Sequence, residues 1–229
     1  VGSEMCIRDR RSTNKKNITI KDLLLHESGL PPYIRFYLEV IDPNSVHGPY
    51  AQSWVDEWHR TRVSEHSYYC SDFKFKKGLV SEKESSVYNL HVADKMWLNK
   101  SFKNTILQKI ARCEMDSKRY VYSDLGFILL QQVVESIVKL PMDLYLAKEF
   151  YAPMGLQRTM YLPLQKYSKE EIMPTAANDF LRRQDLCGYV HDEAAACMGG
   201  ISGNAGLFST ASEVAKIYQM ILNLSLIHI

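Results

Sequence analysis

Residues 122–138 read YSDLGFILLQQVVESIV. Leu125, Phe127, Ile128, Leu129, Leu130, Val133, Val134, Ile137 and Val138 leave a helix almost no polar side. A helix from Ser123 to about Lys139, buried on most of its surface, is the expectation. Ser123 is placed to cap it. The triplet Tyr122-Ser123-Asp124 therefore stands at the mouth of a core helix. A tyrosine there can pass a proton only if a neighbouring cation such as Lys tunes its phenol, ordinarily near pKa ~10. Taken alone, the triplet reads first as a packed tyrosine beside a routine N-cap pair.

Working outward, Pro141 suits the first turn of a following helix to about Tyr151, closed by the turn Pro153-Met154-Gly155-Leu156. Phe102–Ala111 carries Ile106, Leu107 and Ile110 at helical spacing. Further upstream, Thr19-Ile20-Lys21-Asp22 has the spacing of a capping box. The short helix it opens is stopped by Ser28-Gly29-Leu30-Pro31-Pro32. Thr210 to Glu213 is a second capping box, with Val214, Ile217, Tyr218, Ile221 and Leu222 expected inward. Residues 33–100 mix Tyr, Trp, His and Lys without a sustained period and read as a long, irregular but partly ordered excursion with room for short helices or strands, either a functional insertion or a subdomain.

The chain has 229 residues, 46% of them hydrophobic, which suits one domain that buries a core. A net charge of +2 gives no electrostatic reason for a nucleic-acid or anionic-membrane partner. No apolar run approaches the roughly 20 residues of a membrane-spanning helix. Five cysteines without a C-x-x-C pair exclude a disulfide scaffold and the usual zinc spacings. Both ends read as translated transposon-end adapter from a sequencing library: VGSEMCIRDR at 1–10, and LSLIHI at 224–229 in the opposite strand. Residues 11–223 are then the native part, an internal piece of a longer domain, so a missing leader carries no information about compartment.

Several patterns bear on chemistry. His47, His59, His66, His91 and His191 are scattered, and His26-Glu27 lacks the second His of a zinc helix, so no metal and no cofactor is expected. His26 as a catalytic base competes with a histidine hydrogen-bonded inside the fold. The passage Gly199-Gly200-Ile201-Ser202-Gly203-Asn204-Ala205-Gly206 matches no phosphate-binding pattern and suits close backbone packing. A Ser activated by Lys needs S-x-x-K on a helix. Ser12-Thr13-Asn14-Lys15 and Ser71-Asp72-Phe73-Lys74 have the spacing, but neither opens an apolar helix.

Four motifs in order resemble the serine β-lactamase-related hydrolases: class C β-lactamases, D-alanyl-D-alanine peptidases and esterases of one fold. They are T-I-K-D-L-L-L-H-E-S-G-L-P from Thr19, the Tyr122-Ser123-Asp124 triplet, the Pro-Met-Gly-Leu turn, and G-G-I-S-G-N-A-G-L-F-S-T-A-S-E-V-A-K from Gly199. His91-Val92-Ala93-Asp94 and Gly188-Tyr189-Val190-His191-Asp192-Glu193 look closer to one branch. That branch is the β-lactamase-like domain that follows a family-3 glycoside hydrolase domain in some Bacteroidetes proteins.

The resemblance implies an α+β fold, an antiparallel sheet flanked by helices plus a helical region, here cut at both ends. It implies acyl transfer: the Ser of S-x-x-K attacks a carbonyl, Lys and the Tyr of Y-x-N move the proton, and backbone amides hold the oxyanion. On that reading Tyr122 is the catalytic proton shuttle, with Ser123 and Asp124 as its active-site neighbours. Asp124 replaces the usual Asn, putting a carboxylate where anionic substrates would be disfavoured. Reading the triplet as S-D-N instead fails at Leu125. Asn204 replaces a His common in the branch, a position expected to be structural. The nucleophile motif and the third motif belong to parts of the family pattern outside this chain, so the chain alone is expected to be inactive. The implied substrate is a small molecule or a peptidoglycan-type amide or ester, and the implied location is the periplasm or cell envelope. The alternative is a non-catalytic accessory domain of a family-3 β-N-acetylglucosaminidase.

Overall fold

A computed structural model describes residues 14–223. The adapter-like segments 1–10 and 224–229, and Ser12 of the first S-x-x-K, lie outside the described residues.

Helix α1 (Ile20–Leu24) is short and well capped. Thr19 Oγ1 accepts from the Asp22 amide at 3.1 Å, and Asp22 returns a carboxylate oxygen to the Thr19 amide at 2.8 Å. Asp22 also pairs with Lys118 at 2.6 Å. That hydrogen bond and those from Thr19 hold the Asp22 carboxyl at about 2.

The stretch 33–100 holds short, ordered strands. It holds two three-stranded antiparallel sheets. The first is β1 (Ala51–Gln52), β3 (Ser67–Tyr69) and β2 (Thr61–Ser64), in that spatial order. The second is β4 (Val80–Ser81), β6 (Met96–Asn99) and β5 (Tyr88–Ala93). In β6, Met96 and Leu98 turn inward while Trp97 and Asn99 do not, the period of two that a half-covered sheet requires. Leu90, Val92 and Ala93 of β5 join them in the core. These strands are too short, and too mixed in polarity, to stand out as a sequence period.

Helix α2 (Phe102–Arg112) follows, burying Phe102, Ile106 and Ile110 on one stripe and placing Lys109 and Arg112 at its negative end. Helix α3 (Asp124–Val138) is the expected core helix, but only in part. Leu125, Gly126, Ile128 and Gln131 are buried, whereas Ile137 near its end is 71% exposed. Lys139 ends it in the left-handed region. Helix α4 (Met142–Leu146) runs into a π-helical turn at Ala147–Tyr151. Strands β7 (Pro174–Ala176) and β8 (Leu186–Cys187) pair antiparallel, and helix α5 (Glu193–Cys197) buries Ala195, Ala196 and Cys197. One core joins α2, α3, β5, β6, α5 and the segment Phe36–Ile41.

Helix α6 (Ala211–Leu222) keeps half of its expected capping box. Thr210 Oγ1 accepts from the Glu213 amide, but the Glu213 carboxylate turns away to the Gln157 and Arg158 amides and Thr159 Oγ1. The expected inward face is not buried among the described residues: Val214, Tyr218, Ile221 and Leu222 are all exposed. Burial alone would raise the Glu213 carboxyl pKa, but these donors outweigh it and hold it below the usual range. Among the described residues, no single helix is long and apolar enough to cross a membrane.

Candidate active site

The mouth of α3 is held by the turn after α1. The Val121 amide donates to His26 O and the Asp124 amide to Pro32 O, both at 2.9 Å. The Ser123 amide donates to His26 Nδ1 at 3.1 Å, and Ser123 Oγ donates to Pro31 O at 2.7 Å. Ser123 is therefore 1% exposed and fully employed as a strut. Its hydroxyl does not cap α3, which corrects that expectation, and it is not among the residues that line the pocket beside Asp124. By accepting at Nδ1, the His26 ring serves as a ligand of the α3 backbone. Its ring packs 4.6 Å from that of Tyr122 and 5.2 Å from that of Phe127. The turn needs its glycine: Gly29 sits at φ +77°, and a Cβ there would lie 2.4 Å from Asp116 O.

Tyr122, so positioned, is 57% exposed and its hydroxyl donates to Asp124 Oδ1 at 3.1 Å. That hydrogen bond first, then the Asp124 charge, burial and Asp192, all raise the phenol pKa. Burial raises the Asp124 carboxyl as well. Asp192 adds to the rise, while Tyr122, His26 and Asn204 oppose it. As it stands, Tyr122 is a protonated donor, the reverse of a base. A cation held by Asp124 would invert that tuning.

Beside Asp124 opens a pocket of about 200 Å³, walled by Tyr33, Arg35, Tyr37, Tyr69, Asp192 and Glu193. Asp192 caps α5 through the Ala195 amide at 2.7 Å and accepts from Asn204 Nδ2 at 3.3 Å. Asn204 thus contacts a residue of the pocket wall, a hydrogen bond compatible with the structural role expected at that position. Its type was legible; its neighbours were not. The loop that carries it packs against α3 as expected for close backbone contact. A Cβ on Gly203 would lie 2.1 Å from Phe127 O, and the Gly203 amide donates to Gln131 Oε1 at 3.1 Å.

Of the other chemical candidates, the His191 cluster borders this pocket through Glu193, and the rest do not line it. Ser71 and Lys74 are not on a helix, and Ser71 Oγ donates to Trp58 O at 3.4 Å. The motif residues His91, Asp94 and Tyr189 gather on one another, with the Tyr189 hydroxyl donating to Asp94 at 2.8 Å. His191, scattered in sequence, comes together with Asp179 and Glu193, their ligand atoms within 4.8 Å of one another. That donor set suits a metal poorly. The buried Arg182 guanidinium donates to both Asp179 oxygens, at 2.9 and 2.7 Å, so that carboxylate already has its cation.

Comparison with known proteins adds to this geometry. The chain is 33% identical over 150 residues to a putative D-alanyl-D-alanine carboxypeptidase of Salmonella agona (strain SL483). It is 34% identical over 150 residues to one of Salmonella schwarzengrund (strain CVM19633). Each alignment covers 59% of this chain and 34% of the relative, so the chain spans about a third of the length of the curated relatives it matches. No solved structure matches it. A profile described as Beta-lactamase matches residues 79–227, a span that takes in Tyr122, Asp124, Asp192 and Asn204 and leaves the Tyr33–Tyr37 wall outside. On that match over more than half its length, with an antiparallel α+β fold, the chain belongs to the Beta-lactamase family.

Proposed function

We propose that this chain is part of a serine hydrolase that opens amide or ester bonds of cell-wall-related substrates through an acyl-serine intermediate. The observation that carries this reading is the Tyr122–Asp124 pair, set on the rim of a pocket by the α1–α3 struts. Asp124 and Asp192 together form a seat for an ammonium, and a lysine seated there would lower the Tyr122 phenol pKa toward that of a working base. The nucleophile and that lysine belong to the part of the protein outside the described residues. The names of the relatives favour D-alanyl peptides as substrates, and a periplasmic or envelope location would follow from acting on such substrates.

The test is covalent labelling of the full-length parent and of this chain with a fluorophosphonate and with labelled penicillin. The parent is expected to take label at one serine, and Tyr122→Phe in the parent to slow acylation about 10²–10⁴-fold. The 229-residue chain is expected to take none. Labelling of the chain alone would overturn the placement of the nucleophile. A parent that takes no label and hydrolyses no ester or amide would leave the non-catalytic accessory reading in its place.

A further inference from the structure

A second pocket, of about 170 Å³, opens between α2, α3 and the start of α4, away from Tyr122. Its walls are charged with both signs. Lys103 of α2 enters with its stem packed against Gly199, and burial lowers its amine pKa despite the pull of Glu135 and Asp143. No ion pair or hydrogen bond joins its ammonium to another described residue. Across the pocket, Asp143 Oδ1 is buried without a partner. Glu135 is half committed, its Oε1 accepting from Gln131 Nε2 at 3.1 Å and the Met142 amide at 3.0 Å. A desolvated cation and an orphaned carboxylate oxygen thus face one cavity without meeting.

We infer that this pocket binds a small α-amino acid, whose carboxylate meets Lys103 and the Asn104 side-chain amide and whose ammonium meets Asp143 and Glu135. A single ion would satisfy one end and strand the other, because each unpaired buried charge keeps its desolvation penalty. A zwitterion satisfies both ends. Size points the same way: a cavity of ~150 Å³ holds benzene, a molecule of six heavy atoms. Alanine has the same number of heavy atoms, and Leu107 and Met198 supply an apolar wall for its methyl group. This inference stands apart from the hydrolase reading and holds or fails without it.

The test is titration of the ¹⁵N-labelled 229-residue chain with D-alanine and L-alanine. Alaninamide, which lacks the carboxylate, and N-acetylalanine, which lacks the ammonium, serve as matched probes. One or both alanine enantiomers should give saturable shifts at Asn104, Gln132 and Asp143. Each matched probe should bind about tenfold more weakly or worse. Lys103→Met and Asp143→Asn should each weaken alanine binding by about the same factor. Should either variant fail to fold, the probe comparison on the unaltered chain decides alone. The inference is overturned if neither enantiomer gives saturable shifts, if the probes bind as tightly as alanine, or if the shifts cluster at Tyr122 instead.

Discussion

Tyr122 carries the reactive potential of the site, and its surroundings are acidic. Its hydroxyl is pinned to Asp124 and faces the field of Asp192. Asp124→Asn removes the carboxylate that holds the phenol proton, so the Tyr122 pKa should fall toward the ordinary ~10. Ultraviolet difference titration, with Tyr122→Phe subtracted to isolate one of 14 tyrosines, reads this directly. An unchanged phenol would remove the hydrogen bond from the account. The pair itself was legible as Y-x-D before an apolar run. The fate of Ser123 was not, because its hydroxyl is claimed by a carbonyl 92 residues away, ahead of its own helix. Asn204 illustrates the same limit. Its identity shows in sequence, but its contact with Asp192 depends on how the glycine-rich loop lies on α3.

At the scale of elements, α3 and the glycine-rich loop fit through one missing side chain. Gly203→Ala would push a methyl into Phe127 O and the Gln131 stem, and should cost about 3 kcal/mol of unfolding free energy. Gly155→Ala is the matched control. It sits at φ +66° with open space around it, so only backbone strain of ~1 kcal/mol is expected. Equal losses in denaturant melts would show that contact with α3 is not what the glycine at 203 serves. Helix boundaries were readable because capping and periodicity are local: α1, α2, α3 and α6 fall within a residue or two of expectation. The burial of α6 was not readable, since an apolar stripe says nothing about whether another element covers it. The strands of 33–100 could not be placed individually for a related reason. Segments of two to six residues borrow their order from pairing across the chain.

Across the whole molecule, pH dependence should carry an imprint of one buried histidine. His59 is 1% exposed, with Nδ1 2.9 Å from Asp56 Oδ1 and Nε2 2.6 Å from Pro49 O. Burial alone would lower its pKa; the Pro49 carbonyl and Asp56 outweigh it and raise it. A raised folded value stabilises fully below the unfolded pKa of ~6.5 and is lost as pH climbs through the folded one. Denaturation midpoints of the chain should therefore decline over that alkaline-going window, and His59→Gln should flatten the decline. A midpoint that falls equally in both proteins would assign the effect elsewhere. The fold class was available from four motifs and a composition that supports a core. The pairing of His59 with Asp56 and Pro49 was not, because it depends on the course of a loop with no local pattern.

The struts between the turn after α1 and the mouth of α3 also have a kinetic meaning. They close contacts over separations of 97 and 92 residues, so the ordering entropy of that long span is lost before the struts form. Contacts of such range slow folding and tend to form after local helices and hairpins. Tyr122 should accordingly reach its final position among the last events of folding. Substitutions in the His26–Pro32 turn should then speed unfolding far more than they slow folding.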